Sequence, residues 1–139
     1  MDRGWFLFRG FVVNNRSLGN PLSIGGVNLE SSRIAVAAFD AQWYFDEPLE
    51  HPGSLITSSL GNLQEVGNDA LFKFSEAPRY SIVVRQQGGP AVPVSSNTRF
   101  TPQIINLRDD RPIFVQVNER RNRFANNMGT FSMWVKLLG

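Results

Sequence analysis

Thr130-Phe131-Ser132-Met133-Trp134-Val135-Lys136-Leu137-Leu138 is the stretch on which the fold turns. Phe131, Met133, Val135 and Leu137 alternate with Thr130, Ser132, Trp134 and Lys136, a period of two that reads as a strand. Such a strand packs one face on a core and turns the other to solvent or a partner. Working outward, Trp5–Asn15 is rich in Phe and Val and stops at Asn14-Asn15, a natural turn. Tyr80–Gln87 carries Ile82-Val83-Val84 and stops at Gly88-Gly89, and Pro112–Asn118 puts Ile113, Val115 and Val117 on one face. Ala91–Ser95 and Phe100–Leu107 are shorter extended segments, each with a proline. Ser32–Tyr44 is the one ambiguous run. Its alanines and the capping serines Ser31 and Ser32 allow a helix, but its strand-rich surroundings favour a buried strand. Many short strands parted by turn residues predict an all-β fold, a β-sandwich of jelly-roll type. Ser54–Pro78 is the least regular part, and Gly19–Gly26 reads as a loop turn.

The chain has 139 residues and 15.6 kDa, the size of one domain, with 42% apolar and 12% aromatic residues including eleven Phe. A disordered tail does not have that composition. Cysteine is absent, which excludes a disulfide scaffold and thiolate metal or redox sites, and one histidine excludes multi-histidine zinc sites. The net charge is +2 with twelve of the fourteen basic residues Arg, too small and too dispersed an excess to predict a nucleic-acid partner. No apolar run approaches the ~20 residues that span a bilayer, so membrane insertion is not expected. The start, Met1-Asp2-Arg3-Gly4, leads straight into a strand-like segment without a separate apolar signal region. The expectation is a soluble protein, cytoplasmic or released without a classical signal peptide.

Catalytic motifs are missing. There is no G-x-S-x-G elbow and no Walker-type loop, and the glycines of Gly19–Gly26 come without the phosphate-reaching lysine. Asp46, Glu47 and Glu50 cluster beside His51, but a lone histidine among carboxylates reads first as a surface hydrogen-bonding group. The chain is read as a non-enzyme.

The segment Asn118-Glu119-Arg120-Arg121-Asn122-Arg123-Phe124-Ala125-Asn126-Asn127-Met128-Gly129-Thr130-Phe131 joins two predicted strands. Its carboxylate, asparagine amides and main-chain carbonyls are the oxygen donors that calcium, a hard cation with six to eight oxygen ligands, requires. On these residues alone, Asn126-Asn127-Met128-Gly129 reads first as a hairpin turn.

The loop resembles the calcium loop of the bacterial galactophilic lectins, small β-sandwich proteins that bind D-galactose through calcium. Their loop runs Asn-Asp, then Asn-Asn-x-Gly-Ser-Phe after a spacer. Asn118, Asn126, Asn127, Gly129 and Phe131 match it, with Thr130 in place of Ser and Glu119 in place of Asp. Phe8-Arg9-Gly10…Val12…Asn14-Asn15 is similar to their opening strand, and Ile34–Ala38 to their Ile-Val-Ala-Ala strand. Glu50-His51-Pro52 matches their sugar-site triplet, and Val92-Pro93-Val94 with Phe100 their Ile-Pro-Val…Phe segment. The blocks fall in the same order along most of the chain.

The resemblance implies a single lectin-like domain over 1–139, with 54–78 as an insertion. It implies calcium held by the Tyr44 carbonyl, Glu119, the Arg123 carbonyl, Asn126 and Asn127, with Trp43 as the alternative to Tyr44. Sugar contacts fall to His51, Pro52, Glu119 and Asn126. The partner implied is a galactose-type carbohydrate or glycan, the role adhesion, and the assembly a homo-oligomer. Two departures bear on the metal. Glu119 is a methylene longer than Asp, and Arg120, Arg121 and Arg123 crowd the loop. A unit charge about 6 Å from Ca²⁺ repels it by ~1.4 kcal/mol even in water. A guanidinium in place of the metal, binding an anionic partner, is one alternative. The other is a docking module of a phage particle or injection device, its sugar site degenerate and aromatics such as Phe6 and Trp134 packed on partners.

Overall fold

A computed structural model of the chain describes residues 4–11, 20–22, 33–40, 42–46, 49–50, 52–61, 72–74, 76–86, 88–107, 112–119 and 127–138. Ten strands appear in it: β1 (Phe6–Phe11), β2 (Asn20–Leu22), β3 (Arg33–Asp40), β4 (Trp43–Tyr44), β5 (Leu55–Ile56), β6 (Ile82–Gln86), β7 (Val92–Pro93), β8 (Gln103–Asn106), β9 (Ile113–Val117) and β10 (Met128–Leu137). The only helical element among the described residues is a 3-10 turn at Pro52–Ser54.

The strands form two antiparallel sheets. One is six-stranded in the order β5-β4-β10-β3-β8, with β1 also paired to β10. The other runs β2-β9-β6-β7. The alternation in β10 works as expected: Phe131, Met133 and Val135 are fully enclosed, and they meet Phe8, Ile34, Val36 and Ala38 from neighbouring strands. The second sheet turns Leu22, Ile113, Val115, Val117, Ile82 and Val84 onto the same core. The fold is therefore an all-β sandwich. Within Ser32–Tyr44, the described residues 33–40 and 43–44 are strand, as β3 and β4, because both pair with β10. Helix-compatible alanines do not outweigh a ladder with partners on both sides.

One strand falls where none was expected, and another lies in the 54–78 stretch, which the sequence leaves open as a long excursion or an extra hairpin. The 19–26 stretch, read as a loop turn, contains β2, whose Pro21 is tolerated because β2 lies at a sheet edge, paired among the described residues with β9 alone. Within 54–78, Leu55 and Ile56 pair with Tyr44 and Trp43, and Phe72 joins the core. Phe74 and Ala77 cover the outer face of the second sheet, packing with Val83 and Ala91.

Gly10 stands opposite Phe131 in the β1–β10 ladder. A Cβ there would run into the Phe131 ring, so the bare backbone is what lets the ring lie across β1. Two residues before Phe131 in β10, Gly129 has φ +119°, and a Cβ would press on the Gln42 carbonyl at 2.9 Å and Trp43 Cα at 3.0 Å. Any side chain there would be both strained and clashing.

Candidate functional site

The candidate loop leaves β9 at one end and enters β10 at the other. The two strands belong to different sheets, so the connection passes from one layer of the sandwich to the other. Met128 and Gly129 are the first residues of β10, paired with Tyr44 and Trp43. The Asn126-Asn127-Met128-Gly129 motif is thus not the turn of a β9–β10 hairpin. Its glycine is required by the close approach of the Gln42–Trp43 main chain.

Of the seven site residues the sequence predicts, His51, Arg123 and Asn126 lie outside the described residues. The other four lie at or beside the ends of β4, β5, β9 and β10. Glu119 follows β9 and Asn127 precedes β10. Tyr44 is opposite Met128, the neighbour of Asn127, while its alternative Trp43 is one residue farther along, opposite Gly129. Pro52 opens the 3-10 turn that runs into β5, and that turn is tied to β4 by a hydrogen bond from Phe45 N–H to the Ser54 carbonyl at 3.1 Å.

Tyr80 fastens this corner together. It takes a left-handed backbone, φ +62°, and donates its N–H to the Asn118 carbonyl at 2.8 Å. Its ring stacks on Phe45 at 4.0 Å between centroids and meets Trp43 edge-on at 6.1 Å. The strand bearing Tyr44 is therefore held against the end of β9 that carries Glu119.

Asn118 organises the same corner from within. Its Oδ1 accepts the Phe74 N–H at 3.0 Å, and its Nδ2 donates to the carbonyls of Phe74, Ala77 and Pro78 at 2.9–3.1 Å. The Glu119 carbonyl next to it accepts the Lys73 N–H at 3.0 Å. The segment from Lys73 to Tyr80 is thus pinned across the end of β9, and Glu119 starts from a rigid base. Sequence reasoning saw Asn118 as part of a motif but not as a clamp. Its three carbonyl partners lie about forty positions away, and no local pattern records them.

Glu119 and Asn127 are each only 1% exposed. Glu119 Oε2 and Asn127 Oδ1 are enclosed oxygens that accept no hydrogen bond, although both residues have other interactions. Enclosed oxygen acceptors on a corner that also carries main-chain carbonyls suit a hard cation such as calcium. Burial of a carboxylate is costly unless a positive group answers it. Among the described residues, no cluster of three or more His, Cys, Asp or Glu side chains could hold a metal. Any metal there would rely on amide and main-chain oxygens beside Glu119. No helix of the described residues is long and apolar enough to cross a membrane. The chain matches no protein-family model and no curated protein.

Proposed function

We propose that the chain is a non-catalytic carbohydrate-binding domain that takes galactose-type sugars through a calcium ion at the β9–β10 end of the sandwich. The observation that supports this reading is that Tyr44 pairs beside Asn127, at Met128, while Tyr80 ties Phe45, next to Tyr44, to Asn118, next to Glu119. In this reading the Glu119 carboxylate, the amide oxygens of Asn126 and Asn127 and the carbonyls of Tyr44 and Arg123 hold the ion. Neighbouring sugar hydroxyls complete its coordination, and Glu119 and Asn126 also hydrogen-bond the sugar, the charge-assisted bond being the stronger. His51 and Pro52 border the sugar. The similarity of the loop to that of the galactophilic lectins supports the assignment. Such a domain acts in adhesion and works as a homo-oligomer.

A second reading is favoured by Arg120, Arg121 and Arg123, whose charges oppose calcium. Here the same fold is a docking module of a larger particle, with a degenerate sugar site. Calorimetric titration with galactose, with and without EDTA, separates the two. Calcium-dependent heat that disappears in the Asn126→Ala, Asn127→Ala double variant, with folding intact, supports the lectin. Absence of heat with a panel of sugars, together with no bound calcium by elemental analysis, refutes it.

A further inference from the structure

A second cluster of polar groups lies on the outer face of the four-stranded sheet, on elements the lectin reading does not use. The Phe74 ring packs there on Val83, Ala77 and Ala91. Two cations lie over that ring: the Lys73 ammonium at 5.5 Å from its centroid and the Arg85 guanidinium at 5.2 Å. Gln116 shares this face. It stands opposite Val83 in the β6–β9 ladder, and Arg85 follows Val83 by two residues. Arg85 and Gln116 are therefore diagonal neighbours on one face, a separation that long side chains bridge. Gln116 is only 1% exposed, and both its amide nitrogen and its amide oxygen lack a hydrogen-bond partner. An enclosed amide with neither group paired is costly, because each group has given up its hydrogen bonds to water. A fold carries that cost where a ligand or an ordered water answers it.

We propose that Lys73, Arg85 and Gln116 form a binding site for a small tetrahedral oxyanion, a sulfate or phosphate group, at the edge of the Phe74 ring. The guanidinium offers a planar pair of donors, the ammonium a point charge, and the Gln116 Nε2 a neutral donor behind them. Phe74 holds both cations in place through its ring face. Lys73 and Arg85 each have further interactions, and the anion adds to these. Burial and the charge of Arg85 bring Lys73 down to about 8, and burial lowers Arg85 as well. Both cations thus sit where a negative group is favourable. The ligand is either the free ion or the same group esterified to a sugar.

The test uses the full chain and two probes, inorganic sulfate and galactose 6-sulfate, at constant ionic strength. Binding is followed by calorimetry and by the side-chain amide resonance of Gln116. Inorganic sulfate is expected to bind saturably with a dissociation constant of about 1 mM or tighter, the scale of a ~4 kcal/mol interaction, and to shift the Gln116 resonance. Arg85→Gln and Lys73→Gln should each weaken binding at least about tenfold, as expected for loss of a charge-assisted bond. Arg99→Gln, which removes a cation from the Trp134 ring outside this cluster, should leave sulfate binding unchanged. Tighter binding of galactose 6-sulfate than of sulfate, lost in the same variants, identifies the esterified group as the ligand. Equal binding identifies the free ion. Absence of a saturable shift of Gln116 in the unmodified protein overturns the proposal without reference to any variant, as does sulfate binding that survives both substitutions in folded protein. Failure of galactose to bind at the β9–β10 corner has no bearing on this result.

Discussion

Asn118→Ala tests the clamp at the end of β9 directly. The side chain makes four hydrogen bonds, but their loss is not equal. The Phe74 carbonyl keeps a donor in the Ala77 N–H at 3.3 Å, and the Pro78 carbonyl keeps the N–H and Oγ of Ser81. The Phe74 N–H and the Ala77 carbonyl lose the one hydrogen bond described for each. Two orphaned buried groups at about 1–3 kcal/mol each, partly relieved by water entering the small space left, come to roughly 3 kcal/mol. For a domain of this size that lowers the melting midpoint by about 10 °C. Urea unfolding followed by tryptophan fluorescence is the assay, with an unchanged slope expected because the same surface is exposed. Asn118→Asp should do worse than Ala near neutral pH, since its carboxylate still accepts from Phe74 but faces three carbonyls. A loss below about 1 kcal/mol in the Ala variant would refute the reasoning, because water would then replace the clamp at almost no cost.

Gly10→Ala puts a methyl group into the Phe131 ring, and a loss of about 1–3 kcal/mol is expected. Pairing it with Phe131→Leu should cost less than the sum of the two single changes, measured as a double-mutant cycle. Gly129→Ala combines a left-handed backbone with a clash against Gln42 and Trp43, so it should destabilise the fold and weaken any galactose binding, read by thermal denaturation and calorimetry. Lys73 is the titratable test. Its pKa is about 8 in the folded protein and 10.5 when unperturbed, so the unfolded chain holds more protons between those values. Stability should therefore rise with pH across that window, and the rise should be absent in Lys73→Met. A wild-type-minus-variant stability difference that is flat from pH 8 to 11 would contradict the burial of the ammonium.

The strands that could be read from the sequence are those long enough to show a period. β10 has ten residues, and its Phe131, Met133 and Val135 face one way. β2 and β5 have three and two residues and leave no period to read. Ser32–Tyr44 was ambiguous because Ala35 and Ala37 suit a helix surface. In the fold they are buried small residues, and Ala37 stands opposite the half-buried Trp134, whose ring carries the Arg99 guanidinium at 4.5 Å. Smallness there answers to a neighbour a hundred positions away. The same division holds at the candidate site. Glu119 and Asn127 stand out as oxygen donors in a short segment, but Asn118, Tyr80 and Gln116 acquire their roles only from residues brought in by the sheets. Sequence spacing records local chemistry well and distant partners poorly.

The place of β10 has a consequence for how the chain is made. It is the latest strand in the sequence, yet it lies between β1 on one side and β3 with β4 on the other. During synthesis, those earlier strands leave the ribosome with no template between them. At about 5–20 residues per second, the interval between the emergence of β1 and that of β10 lasts several seconds or more. Throughout it, the Phe-rich β1 edge is open to foreign strands. The ladders of β1, β3 and β4 with β10 can therefore form only once β10 has emerged, and chaperone dependence should concentrate on nascent chains that stop short of residue 128.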